Sequence, residues 1–127
     1  MNFLLVFIGG GIGCVLRYII GLGFLKITTS LPWATFVSNI VACTIFAITM
    51  WVISNKAILN QAGEQGQATL KLLILTGFCG GLSTFSSFGY ETFLLLKQGL
   101  HLTAFFNIIF TTLICLLLFY VFNRQTV

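Results

Sequence analysis

A chain of 127 residues that is 58% hydrophobic and only 6% charged departs far from a soluble domain, in which about 25% of residues carry charge, so water is not its main solvent. Its length admits one small domain, and its formal charge of +4 comes from scattered basic residues rather than a patch, which argues against a nucleic-acid partner. Cys14, Cys43, Cys79 and Cys115 all fall in apolar stretches without C-x-x-C spacing, which fits small buried hydrophobes better than disulfides or a zinc site.

Four windows reach the roughly 20 mainly apolar residues that a membrane-crossing helix needs: about Asn2 to Leu25, Trp33 to Ile53, Thr69 to Leu96, and Leu102 to Phe122. The fold expected over residues 1–127 is therefore an all-α membrane protein with four transmembrane helices. Met1 to Gly23 is apolar and N-terminal, but it lacks a basic start and outruns the short core of a secretory signal, so it reads as a span. Short connections, Lys26 to Pro32 and Lys97 to His101, make consecutive spans antiparallel neighbours. The longest, Ser54 to Ala68, holds Asn55, Lys56, Asn60, Gln61, Glu64, Gln65 and Gln67 and reads as a solvated loop.

Insertion should follow the Lys and Arg bias of the loops. One side carries Lys56, Lys71 and Arg124, the other Lys26 and Lys97, a difference of one. So weak an instruction suggests insertion both ways and an antiparallel dimer of identical subunits.

Small, polar and charged residues inside the spans are the informative ones. In the first span, Gly9 and Gly13 lie four apart on one face, which lets another backbone come close. The Gly9-Gly10-Gly11-Ile12-Gly13 run is no dinucleotide fingerprint, because Cys14 interrupts the pattern and no strand precedes it. Arg17 is costly within a span; it reads either as a structural anchor on a carbonyl or as an anion-attracting vestibule charge. In the second span, Trp33 suits an interfacial position after Pro32, with Asn39 deeper and Thr35 on its face. The Asn39 amide could bond another helix or turn its donors to a polar pathway.

The third span holds Thr76-Gly77-Phe78-Cys79-Gly80-Gly81-Leu82-Ser83-Thr84-Phe85-Ser86-Ser87-Phe88. Three glycines within five positions weaken a helix, and Ser and Thr offer the backbone other partners, so a helix broken at mid-membrane is expected. Backbone at that depth is tolerated only inside protein or beside a water-filled cavity. Phe85 and Phe88 share a face; they could be core packing, or their electropositive ring edges could hold a dehydrated anion together with hydroxyls such as that of Ser86. In the last span, Asn107, Thr111 and Cys115 fall in line on one stripe, either a polar track or a helix interface.

These motifs resemble the Fluc, or CrcB-type, fluoride channels of bacteria over essentially the whole chain. The resemblance rests on the Gly-rich start with Leu16-Arg17-Tyr18, on Pro32-Trp33-x-Thr35-x-x-x-Asn39, and on the string from Gly77 to Phe88, which is similar to the family's G-F-x-G-G-x-[ST]-T-F-S-[ST]-F signature. It implies an antiparallel dual-topology homodimer in the bacterial plasma membrane with two fluoride pores. By position it assigns Phe85, Phe88 and Asn39 to the pore, with Ser86, Thr35, Asn107 and Thr111 as further lining. It also implies a sodium ion at the dimer interface, held by the backbone carbonyls of Gly80 and Ser83, an oxygen donor set that suits a hard cation. Asn107 and Cys115 depart from the hydroxyls usual in the family's last helix.

Two other classes compete. A small four-span multidrug antiporter of dual topology needs an acid at the midplane, usually in the first span, whereas the acids here are Glu64, in a loop, and Glu91, toward the end of the third span. A non-transporting assembly subunit requires neither Asn39 nor a broken helix. An enzyme is disfavoured, because the single histidine, His101, has no visible nucleophile or acid partner.

Overall fold

The computed structural model describes residues 1–26, 30–55 and 63–124. Among the described residues every regular element is helical: α1 (Asn2–Phe24), α2 (Trp33–Ser54), α3 (Gly63–Leu70) running on as a π-helical segment (Lys71–Cys79) and α4 (Gly80–Leu82), then α5 (Phe85–Lys97) and α6 (His101–Asn123). Four stretches are long and apolar enough to cross a membrane: Asn2–Phe24, Trp33–Ser54, Gly63–Lys97 and His101–Phe122.

The third stretch begins earlier than hydropathy suggested. Gly63, Glu64, Gln65 and Gln67 are helical rather than part of a solvated loop, while Lys56, Asn60 and Gln61 of that loop lie outside the described residues. Polarity marks where hydrocarbon ends, not where a helix ends. Gly63 starts the turn at φ +61, Glu64 sits in the first turn against the positive helix end, and Thr69 Oγ1 donates to Gln65 O at 2.9 Å.

The reversal between α5 and α6 is made by Gly99, at φ +78. Gly99 N donates to Leu96 O at 3.0 Å and Leu100 N to Leu95 O at 2.9 Å, the paired bonds that close a helix whose next residue turns left-handed.

The interior is small and polar rather than oily. Ala42, Ala47 and Ala104 are buried with Thr35, Ser38, Asn39, Thr92, Asn107 and Thr111, whereas Phe3, Phe7, Phe105, Leu116 and Tyr120 point outward. That inversion fits an apolar solvent, where helices associate by close approach and hydrogen bonds rather than by burying grease.

Glycines set the closest approach, between α1 and the third span. A Cβ on Gly9 would overlap the Leu73 carbonyl oxygen, one on Gly13 the Phe78 carbonyl oxygen, and one on Gly81 the Gly10 carbonyl oxygen. A Cβ on Gly77 would lie 3.1 Å from both Gly10 N and Gly9 Cα. The glycines of the third span thus do not break it: Gly77, Gly80 and Gly81 are all helical, and the interruption falls just after them at Ser83 and Thr84.

Candidate functional site

The break is a local exchange of hydrogen-bond partners. Ser83 and Thr84 are extended, at ψ 154 and φ −150, ψ 111. In a continuous helix the Thr84 N–H would bond the Gly80 carbonyl and the Ser87 N–H the Ser83 carbonyl. Instead, Thr84 N donates to Asn39 Oδ1 at 2.8 Å, and Ser87 N donates to Thr84 Oγ1 at 3.2 Å, which makes Thr84 the N-cap of α5. Asn39 Nδ2 returns a bond to Thr84 O at 3.4 Å. One side chain on α2 therefore bonds both the N–H and the carbonyl of Thr84, a role that a buried Asn can fill and a Leu cannot.

The carbonyls of Gly80 and Ser83, like those of Gly81 and Leu82 between them, lose their helical donors at this break. Arg17 Nη1 donates to Ser83 O at 3.2 Å, and its Nη2 lies 3.7 Å from Cys14 Sγ. Of the two readings open for Arg17, the anchor is the one with a partner in this structure. The Ser83 hydroxyl turns back to Cys79 O at 2.8 Å.

Beside the break runs a groove of about 280 Å³ lined by Asn39, Cys43, Ser83, Thr84, Phe85, Phe88, Thr111 and Cys115, among others. The Phe85 and Phe88 rings stand 6.0 Å apart at 40°. Phe88 is half-buried, while Phe85 is 85% exposed on the open side. Thr111 Oγ1 is buried and has no hydrogen-bond partner, a condition that costs about 1–3 kcal/mol unless something accepts from it.

The remaining predicted residues lie elsewhere. Thr35 Oγ1 donates to Glu91 Oε1 at 2.8 Å, so this pair joins α2 to α5 away from the groove. Asn107 Nδ2 donates to Thr92 Oγ1 at 3.0 Å, Thr92 Oγ1 donates to Phe88 O at 2.7 Å, and Asn107 borders a separate apolar cavity with Trp33, Phe36 and Phe106. The stripe of Asn107, Thr111 and Cys115 is thus divided: Asn107 braces α5, and Thr111 with Cys115 faces the groove. Ser86 is exposed, with Oγ 3.3 Å from Thr84 Oγ1.

Sequence reasoning missed Thr84, the hinge on which the break turns, and the Glu91 partner of Thr35. The signal for Thr84 was present as Thr-x-x-Ser ahead of an apolar run, a helix-start pattern; nothing local could show that Asn39 reaches it. Among the described residues no group of three or more His, Cys, Asp or Glu could hold a metal ion.

The sequence is similar to those of known proteins. The family described as "CrcB-like protein, Camphor Resistance (CrcB)" matches residues 4–122. The chain is 36% identical to a protein of Methanococcus aeolicus named fluoride-specific ion channel FluC, over 93% of this chain and 89% of that protein. Proteins of the same name from Phocaeicola vulgatus and Pyrococcus abyssi are 38% and 37% identical, over 85% and 91% of this chain and 84% and 87% of theirs. With the family pattern running through all four apolar helices, the chain is a multi-pass membrane protein that belongs to the CrcB-like family.

Proposed function

We propose that the chain is a fluoride-selective ion channel through which fluoride leaves the cell by passive electrodiffusion. The observation that carries this reading is the groove that gathers the unpartnered Thr111 hydroxyl, the Asn39 amide and the Phe85 and Phe88 rings; relatives named fluoride-specific ion channels support it. A small anion sheds its hydration shell only where donors replace it. Hydroxyl, amide and ring edges supply partial positive charge without a fixed cation that would trap the ion. Hydrogen fluoride enters cells from acidic surroundings as the neutral acid and dissociates in the less acidic interior, and the membrane potential drives the anion out.

The working unit is an antiparallel dual-topology homodimer in the plasma membrane. In a single chain the groove is open on the side where Phe85 is exposed, and an anion facing lipid there would be prohibitively expensive. A second copy closes the pathway. Topology reporters fused to the C-terminus are expected to light up on both sides of the membrane in comparable amounts; a signal confined to one side removes the dual-topology arrangement.

A sodium ion at the dimer interface fits the donor set. The break frees the Gly80 and Ser83 carbonyls of their helical bonds, and such oxygens suit a hard cation; the Arg17 bond to Ser83 O leaves that oxygen a second lone pair. The ion would supply a fixed positive charge that ties the two copies together. This chain's part is to present the carbonyls: Asn39 frees that of Gly80 by taking the Thr84 N–H, and the Thr84 hydroxyl frees that of Ser83 by taking the Ser87 N–H.

Two substitutions test the wall of the groove. In Asn39→Asp one carboxylate oxygen can still accept from Thr84 N, but the other faces Thr84 O and the anion, so fluoride efflux from proteoliposomes is expected to fall by about tenfold or more, the worth of about 1.4 kcal/mol on a barrier. Wild-type rates would take Asn39 out of the pathway. Thr111→Val removes the free donor while keeping its shape, and efflux is expected to drop by roughly tenfold with no loss of folded protein, since no bond within the chain is broken. A folded Thr111→Val protein with undiminished flux would show that the hydroxyl does not meet the ion.

A further inference from the structure

The conduction reading makes no use of sulfur chemistry, yet two thiols stand together on the groove. Cys14 is exposed on α1 and Cys79 is buried. Cys43 on α2 and Cys115 on α6 are half-buried, lie close enough for their thiols to interact, and line the same groove as Asn39, Phe85, Phe88 and Thr111.

We propose that Cys43 and Cys115 form a two-thiol binding site for a thiophilic divalent metal ion of the mercuric class, and that metal bound there blocks the groove. The blocking half rests on the channel reading above; the binding half does not.

Ligand number, softness and charge select the metal. Two sulfurs on facing helices, with no third or fourth His, Cys, Asp or Glu completing a cluster among the described residues, cannot satisfy zinc, which takes four tetrahedral ligands in a closed site. Cys79 shares a neighbouring cavity with Cys43 but does not line the groove. Soft sulfur favours soft metals, and those that accept two ligands in a line can bridge a thiol–thiol contact. Charge then decides between them. On binding, both S–H bonds break, two metal–sulfur bonds form and two protons leave to solvent, with no change of oxidation state. A divalent ion leaves a neutral bis-thiolate, whereas a monovalent one leaves a net negative charge, which is costly in an apolar wall. The bridge fills part of the groove that Cys43 and Cys115 line together with Thr111.

The test uses full-length C14S/C79S protein, in which only this pair remains. In detergent, titration with mercuric chloride is expected to raise a near-ultraviolet sulfur-to-metal charge-transfer band that saturates at about one metal per chain, and the band should be absent when C43S/C115S is added to the same background. In liposomes, saturating metal should cut fluoride efflux by about tenfold or more, and excess dithiothreitol should restore it. No band in C14S/C79S protein, or saturation at about two metals per chain with one on each thiol, overturns the site. A saturated band with undiminished efflux overturns the block. If C14S/C79S protein carries no fluoride before metal is added but wild type does, wild type and the single variants C14S and C79S replace it for the flux arm, and loss of the block in either variant overturns it; if wild type carries none either, the channel reading is what fails, and the absorbance titration still decides the site.

Discussion

Replacing Phe85 or Phe88 with Ile is expected to collapse fluoride efflux while leaving the protein folded. The two rings lie side by side at the groove, 6.0 Å apart, and Ile keeps most of the apolar bulk but has no electropositive edge. Losing one favourable contact to a desolvated ion costs about 1–3 kcal/mol, or about 5- to 150-fold in rate. Phe85 makes the sharper case. At 85% exposure in the single chain it contributes little to the packing of its own subunit, so a fluoride-electrode trace that falls with an unchanged size-exclusion profile assigns the effect to conduction. Unaltered flux in both variants would mean that the rings only pack against lipid or a partner.

The second large effect concerns α1. Gly9→Ala and Gly13→Ala are expected to lower the yield of monodisperse protein and its melting temperature sharply, because each new methyl group would overlap a carbonyl oxygen, of Leu73 or Phe78 respectively. Backbone cannot rotate out of the way as a side chain can, so the helix must shift, at about 1–3 kcal/mol or more for each overpacked site. The shift would reach the candidate pathway, since α1 also carries Arg17, bonded to Ser83 O. Gly11→Ala and Gly21→Ala are the internal controls, since a methyl group there meets nothing within 4 Å. Equal behaviour of all four variants would contradict the glycine contact as what sets the α1 position.

Much of the architecture was legible because a bilayer imposes a length. About 20 apolar residues are needed per crossing, and the four apolar windows of the sequence coincide with the cores of the four long helical stretches. The start of the third was read too late, since Glu64, Gln65 and Gln67 are as good in an exposed helix as in a loop. The glycines of the third span were read as helix breakers on propensity, a local quantity. Gly77 and Gly81 instead match Gly9 and Gly10 across the helix pair, and the packing gained there outweighs the propensity lost. Residue type and spacing also pointed to Asn39, Phe85, Phe88 and Thr111, which do share one groove, but the same reasoning grouped Thr35 and Asn107 with them. Both satisfy other polar groups, Glu91 and Thr92, and a one-dimensional stripe cannot say which neighbour a side chain will find.

By itself the sequence determined the solvent, the number of crossings, the family signature and the set of residues too polar to be idle in hydrocarbon. Those follow from composition and periodicity, which are properties of the chain alone. Only the tertiary structure decided where the third helix opens, because that depends on Asn39 of another helix taking the Thr84 N–H at 2.8 Å in place of the Gly80 carbonyl. A buried backbone group must have a partner, and which partner it has is settled by what the fold brings within reach.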